Sequence, residues 1–345
     1  MKTYYDNQYC FFEVFDESSG SYIRSNNNNN EEPFMRKFPS MLDIGIMAKC
    51  VCAPFCNVDC YQKAIDRNGN NMSIEDYESI LKQCKDKVFQ VALGGAGDVD
   101  THENFEKILQ LTREYGIVPN FTTSGIALTK DKAKLCKKYC GAVAVSEHNA
   151  KYTTTAINML LNENVVTNIH YVLSERTIDD AINRLENGLF PNGINAVIFL
   201  LYKPIGLGKK ENILTNVSKI KRFFDLINTK TFNFKIGFDS CSSSGIISYT
   251  DSIDMNSIDY CESGRFSMYI DADMNAMPCS FANQNSKYFV SLREHTIEEA
   301  WFSDIFEQFR HRLKNNCPKC MYNKICSPCP ICNISLCNSE DKIFI

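Results

Sequence analysis

Cysteines stand in this chain in two dense groups, and their spacing limits what it can fold into more than any other feature. Cys50, Cys52, Cys56 and Cys60 fall within eleven residues, and nine more lie between Cys241 and Cys337. The other four of the 17 are scattered; among them Cys136 and Cys140 share a helix face at i, i+4 and read as core thiols. Disulfide-dense domains are usually short and follow a secretion signal. Here the segment from Met1 to Asn30 has no apolar signal-peptide core and ends in the run Asn26–Asn30. No stretch approaches the roughly 18 apolar residues of a membrane span. The expectation is a reducing, cytoplasmic setting without membrane contact, where clustered thiols are more often metal ligands than disulfides. A net charge of −4, from 37 basic and 41 acidic residues, gives no electrostatic footing for nucleic acid.

Residues 1–39 read as a loosely docked leader segment, punctuated by the Asn run, Pro33 and Pro39, with one strand-like stretch at Tyr9–Phe15. From Met41 short apolar runs alternate with helical periodicity. The expected strands are Met41–Met47, Val88–Leu93, Ile117–Thr122, Gly141–Ser146, Val165–Leu173 and Ile194–Leu201. Helices are expected at about Ser73–Lys87, His102–Tyr115, Lys130–Tyr139, Thr153–Asn162, Thr177–Asn187 and Glu211–Asn228. Six successive βα units argue for a parallel, barrel-like sheet. About 190 residues, 40–230, carry them, short of the eight-unit barrel. The fold class is therefore α/β, a partial (β/α)6 TIM-like barrel. Residues 231–345 follow as a cysteine-rich extension of short β-hairpins and loops, including the β-like piece Phe266–Ile270. In such a barrel the loops at the strand C-terminal ends build the site.

The first cysteine group follows directly on the first barrel strand, in Lys49-Cys50-Val51-Cys52-Ala53-Pro54-Phe55-Cys56-Asn57-Val58-Asp59-Cys60-Tyr61. Three thiolates in one loop can hold three irons of a [4Fe–4S] cube and leave the fourth open. A structural zinc site is the alternative, though zinc takes four closed ligands, often including a C-x2-C pair. The second strand runs into Gly94-Gly95-Ala96-Gly97-Asp98, where glycines let backbone groups approach a ligand. Together these features resemble the radical S-adenosylmethionine enzymes. That family reads C-x3-C-x2-C after the first strand, and Cys52, Cys56 and Cys60 match it with one extra residue in the second gap. Cys50 stands as a substitute ligand. Gly94 and Gly95 match the family's Gly-Gly-Glu-Pro motif, with Ala96 and Gly97 in place of Glu and Pro. The resemblance implies that residues at later strand ends bind the cofactor, Thr123 and Ser146 first among them. His170 reads equally as bore-facing or as a satisfied core residue, and His102, His295 and His311 read as surface residues.

The second group resembles the SPASM extension of peptide-modifying radical enzymes. Cys261 and Cys279 take its first pair, with Met274 where the family has Gly. Cys317, Cys320 and Cys326 keep its C-x2-C-x5-C spacing; the next family Cys would fall at Pro330, between Cys329 and Cys332. Cys241 is a plausible upstream ligand, and Cys337 ends the series. These nine thiols exceed the eight that two fully ligated [4Fe–4S] clusters need. Which of Cys329, Cys332 and Cys337 serves which cluster stays open.

The resemblance implies S-adenosylmethionine and three [4Fe–4S] clusters, one binding the cofactor and two auxiliary. It implies hydrogen-atom abstraction by a 5′-deoxyadenosyl radical from a peptide or protein, with a thioether or carbon–carbon crosslink in a ribosomally made peptide as the outcome. It also implies a reductant protein such as a flavodoxin or ferredoxin. Oxidation of a sulfatase Cys or Ser is the runner-up within that chemistry, and a non-enzymatic zinc or iron–sulfur scaffold or sensor is the alternative of another class. No spacing of Asp or Glu singles out a general base.

Overall fold

The structure, a computed structural model, describes residues 1–26, 34–56, 58–148, 150–251, 258, 260–284, 286–314, 317, 320–323 and 325–337. The Asn run beyond Asn26, Pro33, Asn57, Pro318 and Lys319 lie outside the described residues.

Residues 2–26 do not form a loose leader. They fold into a three-stranded antiparallel sheet in the order β1 (Lys2–Asp6), β2 (Phe11–Asp16) and β3 (Ser21–Asn26). Phe11, Glu13 and Phe15 alternate inward along β2. An acidic residue at the middle inward position hides the strand period from a hydropathy reading. Glu13 is fully buried; it accepts hydrogen bonds from Tyr22 and Ser40 and pairs with Arg36 at 3.3 Å. The Arg36 guanidinium lies 3.5 Å from the Tyr4 ring centroid, and its carbonyl accepts from the Trp301 indole at 2.8 Å. Arg36→Met leaves Glu13 buried without its cation. We expect a loss of about 3–5 kcal/mol, read as a lower urea midpoint with an unchanged slope.

The main sheet has ten strands. Seven parallel strands run in chain order: β4 (Met41–Met47), β5 (Gln90–Gly95), β6 (Val118–Thr123), β7 (Val143–Ser146), β8 (Thr167–Leu173), β9 (Ala196–Leu201) and β10 (Lys235–Phe238). Six of these were expected from the apolar runs. β10 is four residues long and holds Gly237, whose added Cβ would meet the Ile198 side chain at 2.6 Å. A strand so short and glycine-broken carries little periodic signal. On the other side of β4 the sheet continues into β11 (Ser267–Ile270), parallel to β4, then the antiparallel β12 (Asn275–Met277) and β13 (Val290–Ser291). The barrel is open, with β10 at one sheet edge and β13 at the other.

Each crossover has a readable helix. α1 (Ile74–Cys84) is capped by Ser73, α3 (Lys130–Tyr139) by Thr129, and α6 (Val217–Thr229) by Asn216, each accepting from a backbone N–H in the first turn. α2 (Phe105–Glu114), α4 (Ala150–Asn162) and α5 (Ile178–Asn187) complete the layer. Along β8, Thr167, Ile169, Tyr171 and Leu173 are buried, while Asn168, His170 and Val172 alternate with them on the bore side. Tyr171 fixes α5 to the sheet by donating to Asp180 at 2.6 Å. The N-terminal sheet closes the opposite end of the barrel. Phe15 stacks on Phe89 at 5.9 Å, Arg24 sits 3.5 Å over Phe266, and a cavity of about 130 Å³ between Arg24, Gln90 and Glu262 remains there. Past β10 come α7 (Ser243–Tyr249), α8 (Ile297–Trp301), with a Thr296–Glu299 capping box, and α9 (Asp304–Lys314).

Candidate functional site

β4 delivers the first cysteine loop to the open end of the barrel. A short 3-10 turn, Ala53–Phe55, separates Cys52 from Cys56. Cys50, Cys52 and Cys60 are half-buried and Cys56 is exposed. Burial, and after it the neighbouring Cys50, pushes the Cys52 thiol up to about 11. The loop is pinned from across the barrel. The Cys60 carbonyl accepts from the Leu207 N–H at 3.0 Å, and Asp59 accepts from Asn212 at 2.7 Å and from the Tyr202 hydroxyl at 3.3 Å. Gly206, at φ +68°, leaves room for that contact, since a Cβ there would lie 2.3 Å from the Tyr61 carbonyl.

The glycine segment lies along the same loop. The Ala96 N–H donates to the Met47 carbonyl at 2.7 Å. Gly95 has φ +121°, and a Cβ on it would come within 2.4 Å of that carbonyl. Gly94 faces open space. The two glycines expected to face a ligand therefore play different parts: Gly95 makes the close approach, and Gly94 leaves volume.

At the later strand ends the expectation needs one correction. Thr123 is fully buried on the helix side of β6. Its hydroxyl donates to Asp100 at 2.8 Å and accepts from the Gly125 N–H at 2.9 Å, so it does not reach the bore. The half-buried neighbours Thr122 and Ser124 face the other way; Thr122 lies 3.3 Å from His170 Nδ1, and Ser124 is held by Asp98. Within the run Thr122-Thr123-Ser124 a single-residue shift of register reverses every side chain, and composition does not show which set points inward. Ser146 stands beside His170 in the β7–β8 register. Burial pushes His170 down to about 4, so at neutral pH it is an uncharged imidazole in the bore. His148 is pushed down by burial, partly opposed by Asp98. His102 is a buried structural residue rather than a surface one, bonded to the Met72 carbonyl at 3.1 Å and to the Asn104 N–H at 3.0 Å. His295 and His311 are exposed as expected.

Asp43 was not singled out by the sequence. It lies on β4 between Leu42 and Ile44, on the opposite face from those two core residues, and pairs in register with Ala92 and Tyr269. Its only sequence signal is polarity in a strand whose alternate residues are buried. Burial, then Glu262, pushes its carboxyl up to about 6. The folded chain thus binds a proton there more tightly than the unfolded chain, whose Asp titrates near 4. Stability therefore falls as pH rises from about 4 to about 6. Asp43→Asn should be the more stable protein at pH 7 by about 1–3 kcal/mol, with the advantage gone below about pH 4 in urea unfolding.

The nine C-terminal thiols sort into two groups in space. Cys241 stands on a 3-10 turn just after β10, Cys261 precedes β11, and Cys279 follows β12. With Cys329 they form a near set that joins the turn after β10 to the ends of β11 and β12. A hydrogen bond with Cys329, and after it burial, holds the Cys241 thiol well above its usual value. Burial followed by Cys241 raises Cys261 to about 12, and burial followed by Cys261 and Cys241 raises Cys279 to about 12. The far set is Cys317, Cys320, Cys326 and Cys337; Cys326 is raised to about 12 by burial and then by the other three. Cys332 is the odd thiol, 3.5 Å from Cys329 Sγ. Met274, where the SPASM pattern has Gly, has φ +67° at the β11–β12 turn, the conformation that glycine adopts without strain. Its N–H donates to the Asp271 carbonyl at 3.1 Å.

Apart from the exposed Cys317, the thiols of both sets are buried or half-buried; burial and then neighbouring thiols raise Cys261, Cys279, Cys317 and Cys326, a conflict an iron cluster relieves by binding the thiolates. Among the described residues no three His, Cys, Asp or Glu side chains converge on a single-ion site. One tetrahedral zinc needs sulfurs about 3.8 Å apart, from Zn–S bonds near 2.3 Å. Phe281, two residues past Cys279, stands against the first loop, its ring centroid 4.6 Å from that of Tyr61.

Residues 261–333 match the SPASM family, an iron-sulfur cluster-binding domain. No curated protein sequence matches the chain. Among solved structures, Streptococcus suis SuiB bound to S-adenosylmethionine is similar at 18% identity and TM-score 0.68, over 85% of this chain and 73% of that one. The same protein bound to precursor peptide SuiA is similar at 16% identity and TM-score 0.68, over 85% and 72%. The anSMEcpe structure with bound AdoMet and Cp18Cys peptide is similar at 18% identity and TM-score 0.61, over 84% and 88%. The chain has the fold of these proteins. No helix among the described residues is long and apolar enough to cross a membrane.

Proposed function

We propose that this chain is a radical S-adenosylmethionine enzyme that oxidises a peptide. The observation that carries this reading is the placement of the first cysteine loop at the open barrel end beside the glycine segment, where Gly95 meets Met47 and Gly97 meets Lys49 and Cys50, with Phe281 from the second group of cysteines against Tyr61. Cys52, Cys56 and Cys60 hold the first [4Fe–4S] cluster, with Cys50 as the substitute. Gly94, Gly95 and Ser146 hold the cofactor, with Thr122 or Ser124 in place of Thr123. Cys241, Cys261, Cys279 and Cys329 hold one auxiliary cluster, and Cys317, Cys320, Cys326 and Cys337 the other.

When bound, the first cluster and S-adenosylmethionine supply a 5′-deoxyadenosyl radical that takes a hydrogen atom from the substrate. The chain's own part is to orient and enclose. Asp59, Tyr202, Gly206 and Leu207 fix the cysteine loop, Gly95 sets the backbone against it, and neutral His170 with Thr122 lines the bore without adding charge. Both SuiB and anSMEcpe occur in structures with bound peptides, which supports a peptide substrate here. We infer a crosslink in a ribosomally made peptide, with the electron supplied by a flavodoxin- or ferredoxin-like protein in the cytoplasm. The test is anaerobic incubation with S-adenosylmethionine, reductant and a set of short synthetic Cys-containing peptides. A peptide lighter by one hydrogen pair, with a new linkage in its fragmentation, supports the proposal. Stoichiometric oxidation of one Cys or Ser without a linkage would move the assignment to sulfatase-type maturation.

A further inference from the structure

Lys203 follows β9 at the barrel mouth and is buried, its side chain 3% exposed. Its ammonium donates to Asp239 at 2.7 Å and to the Leu201 carbonyl at 2.8 Å, and lies 4.6 Å from the Phe281 ring centroid. Asp239 does not need the lysine for its own hydrogen bonds. It accepts from the Ser242 hydroxyl at 2.7 Å and from the Leu201 N–H at 3.2 Å, which tie β9 to the turn that carries Cys241. An apolar side chain would fill the same volume without the desolvation that a buried ammonium incurs. The ion pair is also unevenly placed: of the charges around the Cys241 thiol, Lys203 acts more strongly than Asp239, and Cys329 lies within its reach as well. The groups facing Lys203 are thus Asp239, Cys241 and Cys329, with the Phe281 ring beside them.

We propose that Lys203 is a positioning residue that holds a buried positive charge beside Cys241 and Cys329 and so makes the cluster of the near set easier to reduce. The inference rests on the proposed function, which puts that cluster there. One-electron reduction adds one negative charge to the cluster, and a fixed ammonium in a poorly solvated site stabilises the reduced form more than the oxidised one. Both thiols that face Lys203 belong to the near set, so its charge acts on that cluster first.

The test is a reductive titration of the iron-loaded full-length chain with dithionite, followed by EPR. At the potential where half the near-set clusters of the unaltered chain are reduced, fewer than about one in ten should be reduced in Lys203→Met, since tenfold corresponds to about 59 mV for one electron. Lys203→Arg should keep the parent midpoint. Asp239→Asn, which removes the opposing charge but keeps one oxygen to accept from Lys203 and Leu201, should shift it the other way, and it decides the matter alone if Lys203→Met fails to load iron. The far-set signal stays fixed in all three. An intact near-set signal whose midpoint moves in neither charge variant overturns the role of Lys203 and leaves the proposed function standing. No near-set signal in the unaltered chain, with iron absent, overturns both.

Discussion

Replacing Cys52, Cys56 and Cys60 together with Ala should abolish formation of 5′-deoxyadenosine from S-adenosylmethionine, while the chain keeps about eight of about twelve irons. The loop is a connection at the barrel's open end, and its backbone is held by Leu207, Ala53 and Lys63 rather than by its thiols. The substitutions therefore remove ligands without removing core, and stability should change by less than about 1 kcal/mol. Replacing Cys50 alone should leave both iron and product intact. Its thiol is half-buried and its carbonyl already accepts from the Ala53 N–H at 3.3 Å, which makes it a turn residue of the loop. If Cys50→Ala abolished the product and Cys60→Ala did not, the ligand assignment would shift by one thiol. Iron content and chromatography of the nucleoside together read both results.

The second large effect separates the two C-terminal sets. Cys241→Ala with Cys329→Ala should cost about four irons and abolish peptide oxidation, yet leave cleavage of S-adenosylmethionine running, because Phe281, two residues past Cys279 of the near set, stands against Tyr61 of the first loop. Cys317→Ala with Cys320→Ala should cost the same iron from the other set, grouped around Cys326. The near-set pair should therefore uncouple the reaction, and the far-set pair should lower turnover without changing the ratio of nucleoside to modified peptide. Equal uncoupling by both pairs would mean that the two sets act as one relay. Cys332→Ala should do neither, since Cys332 is the thiol that remains when both sets are complete.

Much of this was legible in the sequence, for identifiable reasons. β4 and α3 fall where the periodicity placed them, at Met41–Met47 and Lys130–Tyr139, because β4 is apolar apart from Asp43 and Gly45 and a Thr cap opens α3. The positions of the cysteine loop after β4 and of Gly94–Gly95 after β5 follow from those strands. The N-terminal sheet was hidden because Glu13 sits at an inward position, made tolerable only by Arg36, Ser40 and Tyr22 from distant segments. Thr123 was misplaced by one residue, which in a strand is the whole difference between bore and helix layer. The sorting of Cys329 and Cys332 depends on which thiol meets Cys241, a contact between residues 88 positions apart that spacing alone does not contain. Lys203 and Asp43 were missed for a related reason: each is a single charged residue whose meaning comes from the enclosure around it.

Everything proposed above depends on the first loop and the glycine segment together presenting S-adenosylmethionine to a cluster. Anaerobic reconstitution of the unaltered chain with iron and sulfide, then reduction with dithionite in the presence of S-adenosylmethionine, probes that step without a substrate. Bound iron and 5′-deoxyadenosine are the two readouts. The expected outcome is a brown protein with about twelve irons per chain, in three Cys-ligated clusters, that releases 5′-deoxyadenosine and methionine in equal amounts. A colourless protein that binds zinc in preference to iron and releases no 5′-deoxyadenosine would overturn the proposal.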